Sequence, residues 1–200
     1  ELSPGRLIVQ PRVLVRTLNI VRAVVSLENG RVVADAVAPP DVALTSATPT
    51  TLTAEAFYEQ LTSNSPRTVS LLKAFVSRAS DSEVAIDFAK KSAILRFESP
   101  TGKVFSLGGI DVNGNLSTFN LGWAPSNIGL TEIAHWYLES LAKIVGATVR
   151  RTPKESQWYL VMDGTTLPPA EVALTKAEDW INLIDEYKQR ILQGESARGG

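Results

Sequence analysis

Between Val69 and Phe88 the spacing of apolar residues switches from helical to extended, and no other feature limits the possible folds as much. Val69, Leu72, Val76 and Ala79 recur every three or four residues, as on one face of a helix. Val84, Ile86 and Phe88 then alternate with Ala85, Asp87 and Ala89, which is the period of a strand with one buried face. Further strands are expected at Ala93 to Glu98, Val104 to Val112 and Leu116 to Leu121, separated by Pro100-Thr101-Gly102 and by Asn113-Gly114. Asn-Gly pairs favour tight hairpin turns, so these segments read as an antiparallel meander.

Helix signals flank the meander. Thr53 caps a helix through Ala56, Phe57 and Leu61, and Ser65-Pro66 restarts one, since proline is accepted in a first helical turn. Thr131 is expected to cap a helix with Ile133, Tyr137, Leu141 and Ile144 on one face, closed by Gly146. Ala147 to Arg151 and Gln157 to Met162 read as two more strands. Thr175 with Glu178 reads as the capping box of a last helix carrying Trp180, Ile181, Ile184, Tyr187 and Ile191.

The first 50 residues differ in character. Leu7-Ile8-Val9 and Val13-Leu14-Val15 are short apolar runs, and Ile20 to Leu27 meets Arg31 to Ala38 across Asn29-Gly30, a type I′ hairpin signature. Pro39-Pro40 and the Thr/Ser-rich stretch after it read as a linker. The expectation is an α+β chain: a small β-hairpin unit over residues 1–50, then an antiparallel meander packed by helices over 51–200.

Composition narrows the function. With no cysteine and one histidine, disulfides, thiolate metal sites, cysteine nucleophiles and Cys/His zinc sites are excluded, and the chain suits a cytoplasmic setting. A formal charge of −1 gives no overall basic field for nucleic acid. No apolar run reaches the roughly 20 residues of a membrane helix. The chain opens on Glu1 and reads as part of a longer protein or complex.

Few residues point to chemistry. Asp111, Asn113 and Asn115 alternate as at the start of a calcium-binding loop, but the sixth position is Leu116 and the twelfth Gly122, where glycine and a bidentate glutamate are needed. They read as a turn. His135, beside Trp136 and Tyr137 on a helix, is the one available imidazole base; a half-buried structural residue is the plainer reading. Gly108-Gly109 reads as a bulge or a close packing point. Arg150, Arg151 and Lys154, with Trp158 and Tyr159 close behind, and separately Lys90-Lys91, could engage phosphates and bases; the alternative is a solvated strand end with Trp158 in the core. No metal site and no cofactor are expected.

The series Phe57-Tyr58-Glu59-Gln60-Leu61, Asn64-Ser65-Pro66, a helix, alternating strands through Phe97, and Leu116 to Trp123 resembles an α+β accessory module. That module lies C-terminal to PD-(D/E)xK nuclease-like domains in prokaryotic proteins, and Ile20 to Pro40 is similar to the strands that precede it. A site of that nuclease type uses an acid two residues before a lysine to help hold a divalent metal. Asp87-Phe88-Ala89-Lys90 misses that spacing by one residue. The resemblance therefore implies the accessory part, without the cleavage site.

Three functions follow as expectations. The first is a non-enzymatic binding or assembly module that meets a protein partner, or the rest of a longer chain, through an exposed aromatic patch including Trp123 or through a β-edge of the first hairpin, with His135 a second interaction residue. The second is a nucleic-acid-binding accessory domain using Arg150, Arg151, Lys154 and Trp158. The third is an enzyme with a dispersed site including His135.

Overall fold

A computed structural model describes residues 23–28, 31–36 and 53–197, except residue 90 and residues 153–157. The chain divides into two units, residues 1–47 and 48–200. In the first, β1 (Ala23–Glu28) and β2 (Arg31–Ala36) pair antiparallel, with Ala23 opposite Ala36 and Glu28 opposite Arg31. The expected turn residues Asn29 and Gly30, the runs at 7–15 and the linker lie outside the described residues.

The second unit begins with two helices, so helices rather than a hairpin lead into its sheet. In α1 (Ala54–Asn64) the Thr53 hydroxyl accepts from the Ala56 N–H at 3.2 Å, as the sequence indicates, and Phe57 and Leu61 are buried. Pro66 stands in the first turn of α2 (Pro66–Ala79), which buries Val69, Leu72, Phe75 and Ala79. The Ser65 hydroxyl does not cap α2, because it shares a 2.7 Å hydrogen bond with the Thr68 hydroxyl instead.

Strands β3 (Ala85–Ala89), β4 (Ser92–Glu98), β5 (Val104–Asp111) and β6 (Leu116–Ser117) then form an antiparallel sheet in sequence order, the expected meander. The strand expected over Leu116 to Leu121 stops at Ser117, since Leu121 donates its N–H back to Thr118 and turns the chain. The Asn113-Gly114 turn is present with a different geometry. A type I′ turn would centre on Asn113 and Gly114, both at positive φ. Here only Gly114 has positive φ (+82°), and its N–H bonds the Asp111 carbonyl at 3.0 Å, leaving Val112 and Asn113 central. The Asp111 carboxylate accepts from the backbone N–H groups of Asn113 and Asn115, both at 2.9 Å, and braces the turn.

One face of the sheet makes the core. Ala93, Leu95, Phe97, Phe105, Leu107 and Ile110 are buried in one cluster with Leu72, Phe75, Trp180 and Tyr187. Residues of opposite parity, such as Ile94, lie outside that cluster. At Gly108-Gly109 the expected bulge is present: Leu95 pairs with Gly108 but Arg96 with Ser106, so Leu107 is the extra residue. A Cβ on Gly109 would stand 2.9 Å from the Ala93 carbonyl oxygen, so β4 and β5 approach this closely only because the position is glycine. The Leu107 carbonyl at the bulge accepts from the Tyr137 hydroxyl at 2.8 Å, and the hydroxyl oxygen in turn accepts the Trp180 indole N–H at 3.0 Å. Burial raises the Tyr137 pKa well above its usual range, so the phenol stays neutral and donates.

A short helix α3 (Trp123–Asn127) leads to α4 (Thr131–Val145), which ends on left-handed Gly146 as expected. Thr131 is the first residue of α4 rather than its cap, and its hydroxyl bonds Ser126 at 3.3 Å. After α4 come β7 (Thr148–Arg151) and β8 (Trp158–Val161), paired antiparallel, then α5 (Ala170–Thr175) and α6 (Ala177–Ser196). The expected capping box fails because Thr175 ends α5, where its hydroxyl bonds the Val172 carbonyl, and α6 starts two residues later. Helix α6 buries Trp180, Leu183, Ile184, Tyr187 and Ile191.

The β4–β5 loop is tied to the end of α6. Glu195, whose side chain is 6% exposed, accepts from the Thr101 hydroxyl at 2.8 Å and pairs with Lys103 at 3.2 Å. Burial alone would raise its pKa, but the hydrogen bond from Thr101 and the Lys103 ammonium beside it outweigh that and hold the carboxyl below its ordinary 4.5. A depressed carboxylate stabilises the fold above its unfolded-state pKa and loses that contribution as pH falls through the folded value. Glu195→Gln is therefore expected to lower the melting temperature at neutral pH, with the gap from wild type closing as pH falls below 4.5. A gap independent of pH would show that the carboxylate charge is not what holds the loop.

Candidate functional site

The residues expected to act together are spread over two parts of the second unit. In the β7–β8 hairpin Arg150 pairs with Tyr159 and Arg151 with Trp158. Cross-strand partners share a face and strand neighbours do not, so the two arginines project to opposite sides. Trp158 is 3% exposed and lies in the core, its ring edge-on to His135 with centroids 5.4 Å apart. Its ring is therefore closed to stacking. Lys154 and Lys90 lie outside the described residues.

The opposite side of the hairpin carries Arg150 and Tyr159. One guanidinium N–H of Arg150 donates to the Gly164 carbonyl at 2.6 Å. Asp163 and Gly164 both have positive φ (50° and 78°), and the Thr165 N–H closes onto the Met162 carbonyl at 3.2 Å. This Asp-Gly type I′ turn holds the arginine beside the sheet. Phe119, which follows β6 and is 38% exposed, stacks on Tyr159 with centroids 4.7 Å apart and planes 23° apart. Sequence reading missed Phe119: nothing local announces that position 119 meets position 159.

Trp123 opens α3 and is 63% exposed, the most exposed of the large apolar side chains among the described residues. His135 is on α4, half-buried, with Nδ1 3.4 Å from the Glu139 carboxylate one turn on.

Two depressions can be compared with what chemistry needs. One, of about 360 Å³, is open and lined by Arg78, Asp81, Ser82, Glu178, Ile181 and Asn182. Two of its charges are paired with each other, Arg78 with Glu178 at 2.7 Å, and the Ser82 hydroxyl is given to Asp185 at 3.1 Å. The other, of about 50 Å³, lies on the outer sheet face among Ser92, Ile94, Ser106, Gly109, Ser117 and Phe119. It falls well short of the roughly 300–1,000 Å³ of a ligand pocket. His135 lines neither. Among the described residues no group of three potential ligands converges for a metal, and no helix is long and apolar enough to cross a membrane.

One acid-x-lysine triplet does occur, Glu186-Tyr187-Lys188 on α6. Glu186 pairs with Arg190 at 2.7 Å, Tyr187 is buried, and Lys188 bonds the Ser82 carbonyl and Glu83. Acid and lysine are thus each committed to a different neighbour, and the triplet makes no metal site. Comparison of the chain with protein-family models, curated proteins and solved structures returns no match.

Proposed function

We propose that this chain is a non-enzymatic binding or assembly module of a larger protein or complex, with Trp123 central to its working surface. One contrast supports this. Trp180, Tyr137, Tyr187, Phe57, Phe75 and Phe105 are all fully buried, whereas Trp123 is 63% exposed. Burying a large apolar side chain is worth about 1.5–3 kcal/mol, so an indole left in water is a site where a partner gains binding energy. Trp123→Ala is expected to change unfolding stability by less than about 0.5 kcal/mol, as surface substitutions do. Association with protein partners, measured at steady state on the immobilised protein, is expected to weaken about tenfold or more. Unchanged association would remove Trp123 from the surface.

A second reading, a nucleic-acid-binding accessory domain, draws on the resemblance to nuclease-associated modules and on the Phe119–Tyr159 stack beside Arg150. It requires salt-sensitive binding that weakens when Arg150, Arg151 and Lys154 are neutralised. The enzyme built on His135 has no observation behind it.

A further inference from the structure

We infer that the outward side of the β7–β8 hairpin is a stacking platform for single-stranded nucleic acid, in which Phe119 receives a base, Tyr159 backs it and Arg150 meets the adjoining phosphate. This rests on the nucleic-acid reading above and names its partner and residues.

The ring of Phe119 is stacked on Tyr159 and also borders the shallow dent of the sheet face, which Ser106, Ser117 and Asn120 help to line. A base laid on that ring would meet hydroxyl and amide groups able to pair with its polar edge. Arg150 is the cross-strand partner of Tyr159, which puts a guanidinium within a side chain's length of the stack. Of the two cations of β7 and β8, Arg150 is the one on this side, and the two strands carry no carboxylate, in a chain whose net charge is −1. One cation so placed complements a single phosphate next to the stacked base.

The strand form follows from magnitudes. Few cations give weak attachment through charge alone, so duplex, whose bases are closed to stacking, has little to hold it here. An unpaired strand adds stacking, about tenfold or more in affinity per base, and accepts any sequence because every base has a π face. Arg150 would serve as a point of register on the backbone.

The test uses labelled deoxythymidine and uridine oligomers of about 15 nucleotides, and a duplex of the same length, across a salt series. Single-strand binding that falls about tenfold in Phe119→Ala, survives in Phe119→Tyr and loses about 0.7 of its log–log salt slope in Arg150→Gln supports the platform. Arg150→Gln changes an exposed side chain and keeps the question decidable should Phe119→Ala fail to fold. Duplex binding equal to single-strand binding, or single-strand binding indifferent to both positions, overturns the platform and leaves the broader nucleic-acid reading standing. No binding of any oligomer at low salt overturns both. Protein association lost in Phe119→Ala without oligomer affinity overturns the platform and assigns the ring to a protein contact.

Discussion

Trp180→Ala is expected to lower the free energy of unfolding by about 3–5 kcal/mol, measured by urea denaturation. The indole is fully buried, stacks on Phe75 with centroids 4.6 Å apart, and gives its N–H to Tyr137. Removing it leaves a cavity where α2, α6 and the bulge of β5 converge, and strips the Tyr137 oxygen of a donor. Tyr137→Phe isolates the polar part: the Trp180 N–H and the Leu107 carbonyl both lose their partner inside the core, at a cost of about 1–3 kcal/mol. The double variant should cost less than the sum, because each change already breaks the same chain of hydrogen bonds. Strict additivity would mean that the two side chains act independently.

Gly114→Ala should cost nearly as much, although it adds one methyl group. With φ at +82°, alanine carries a left-handed backbone penalty of about 1–2 kcal/mol. Its Cβ would also stand 2.8 Å from Ser65 Cβ and 2.9 Å from Ser65 Oγ, and overpacking of that kind typically adds about 1–3 kcal/mol. The β5–β6 turn carrying Gly114 meets the α1–α2 junction, where the Asn64 amide donates to the Val112 carbonyl at 2.8 Å, and the Gly114 carbonyl accepts from Ala170 at 2.8 Å. The steric share can be separated: in a Ser65→Gly background the same substitution should cost only its backbone part. A melting temperature unchanged in Gly114→Ala would show that the turn and the junction do not meet so closely.

Much of this architecture was legible because it rests on local physics. The change of period after Ala79 announced the passage from helix to sheet, Thr53 and Gly146 marked helix ends by their own hydrogen bonding and φ, and Gly108-Gly109 marked the bulge. The errors arose where two local signals competed. Thr175 with Glu178 matches a capping box, but Pro168-Pro169 upstream had already opened a short helix that runs through Thr175. Asp163-Gly164 is as strong a turn pair as Asn113-Gly114, and the structure uses the former as type I′ and the latter as a type I turn followed by left-handed glycine. At the surface the difficulty is parity and distance. Whether Trp158 or Tyr159 faces outward depends on which side of β8 meets the core, and the Phe119 ring arrives from forty positions earlier in the chain, a convergence that no local pattern encodes.

The contrast between the tryptophans has an optical consequence. Of the four indoles, Trp158 and Trp180 are buried and Trp136 lies beneath the Arg190 guanidinium, 3.7 Å from its ring centroid. Trp123 alone stands largely in solvent. A collisional quencher such as iodide reaches that indole first, so the quenchable fraction of the native protein's emission reports one side chain. A partner seated over α3 would shield it and shift its emission to the blue, making occupancy of the surface readable from the unlabelled protein.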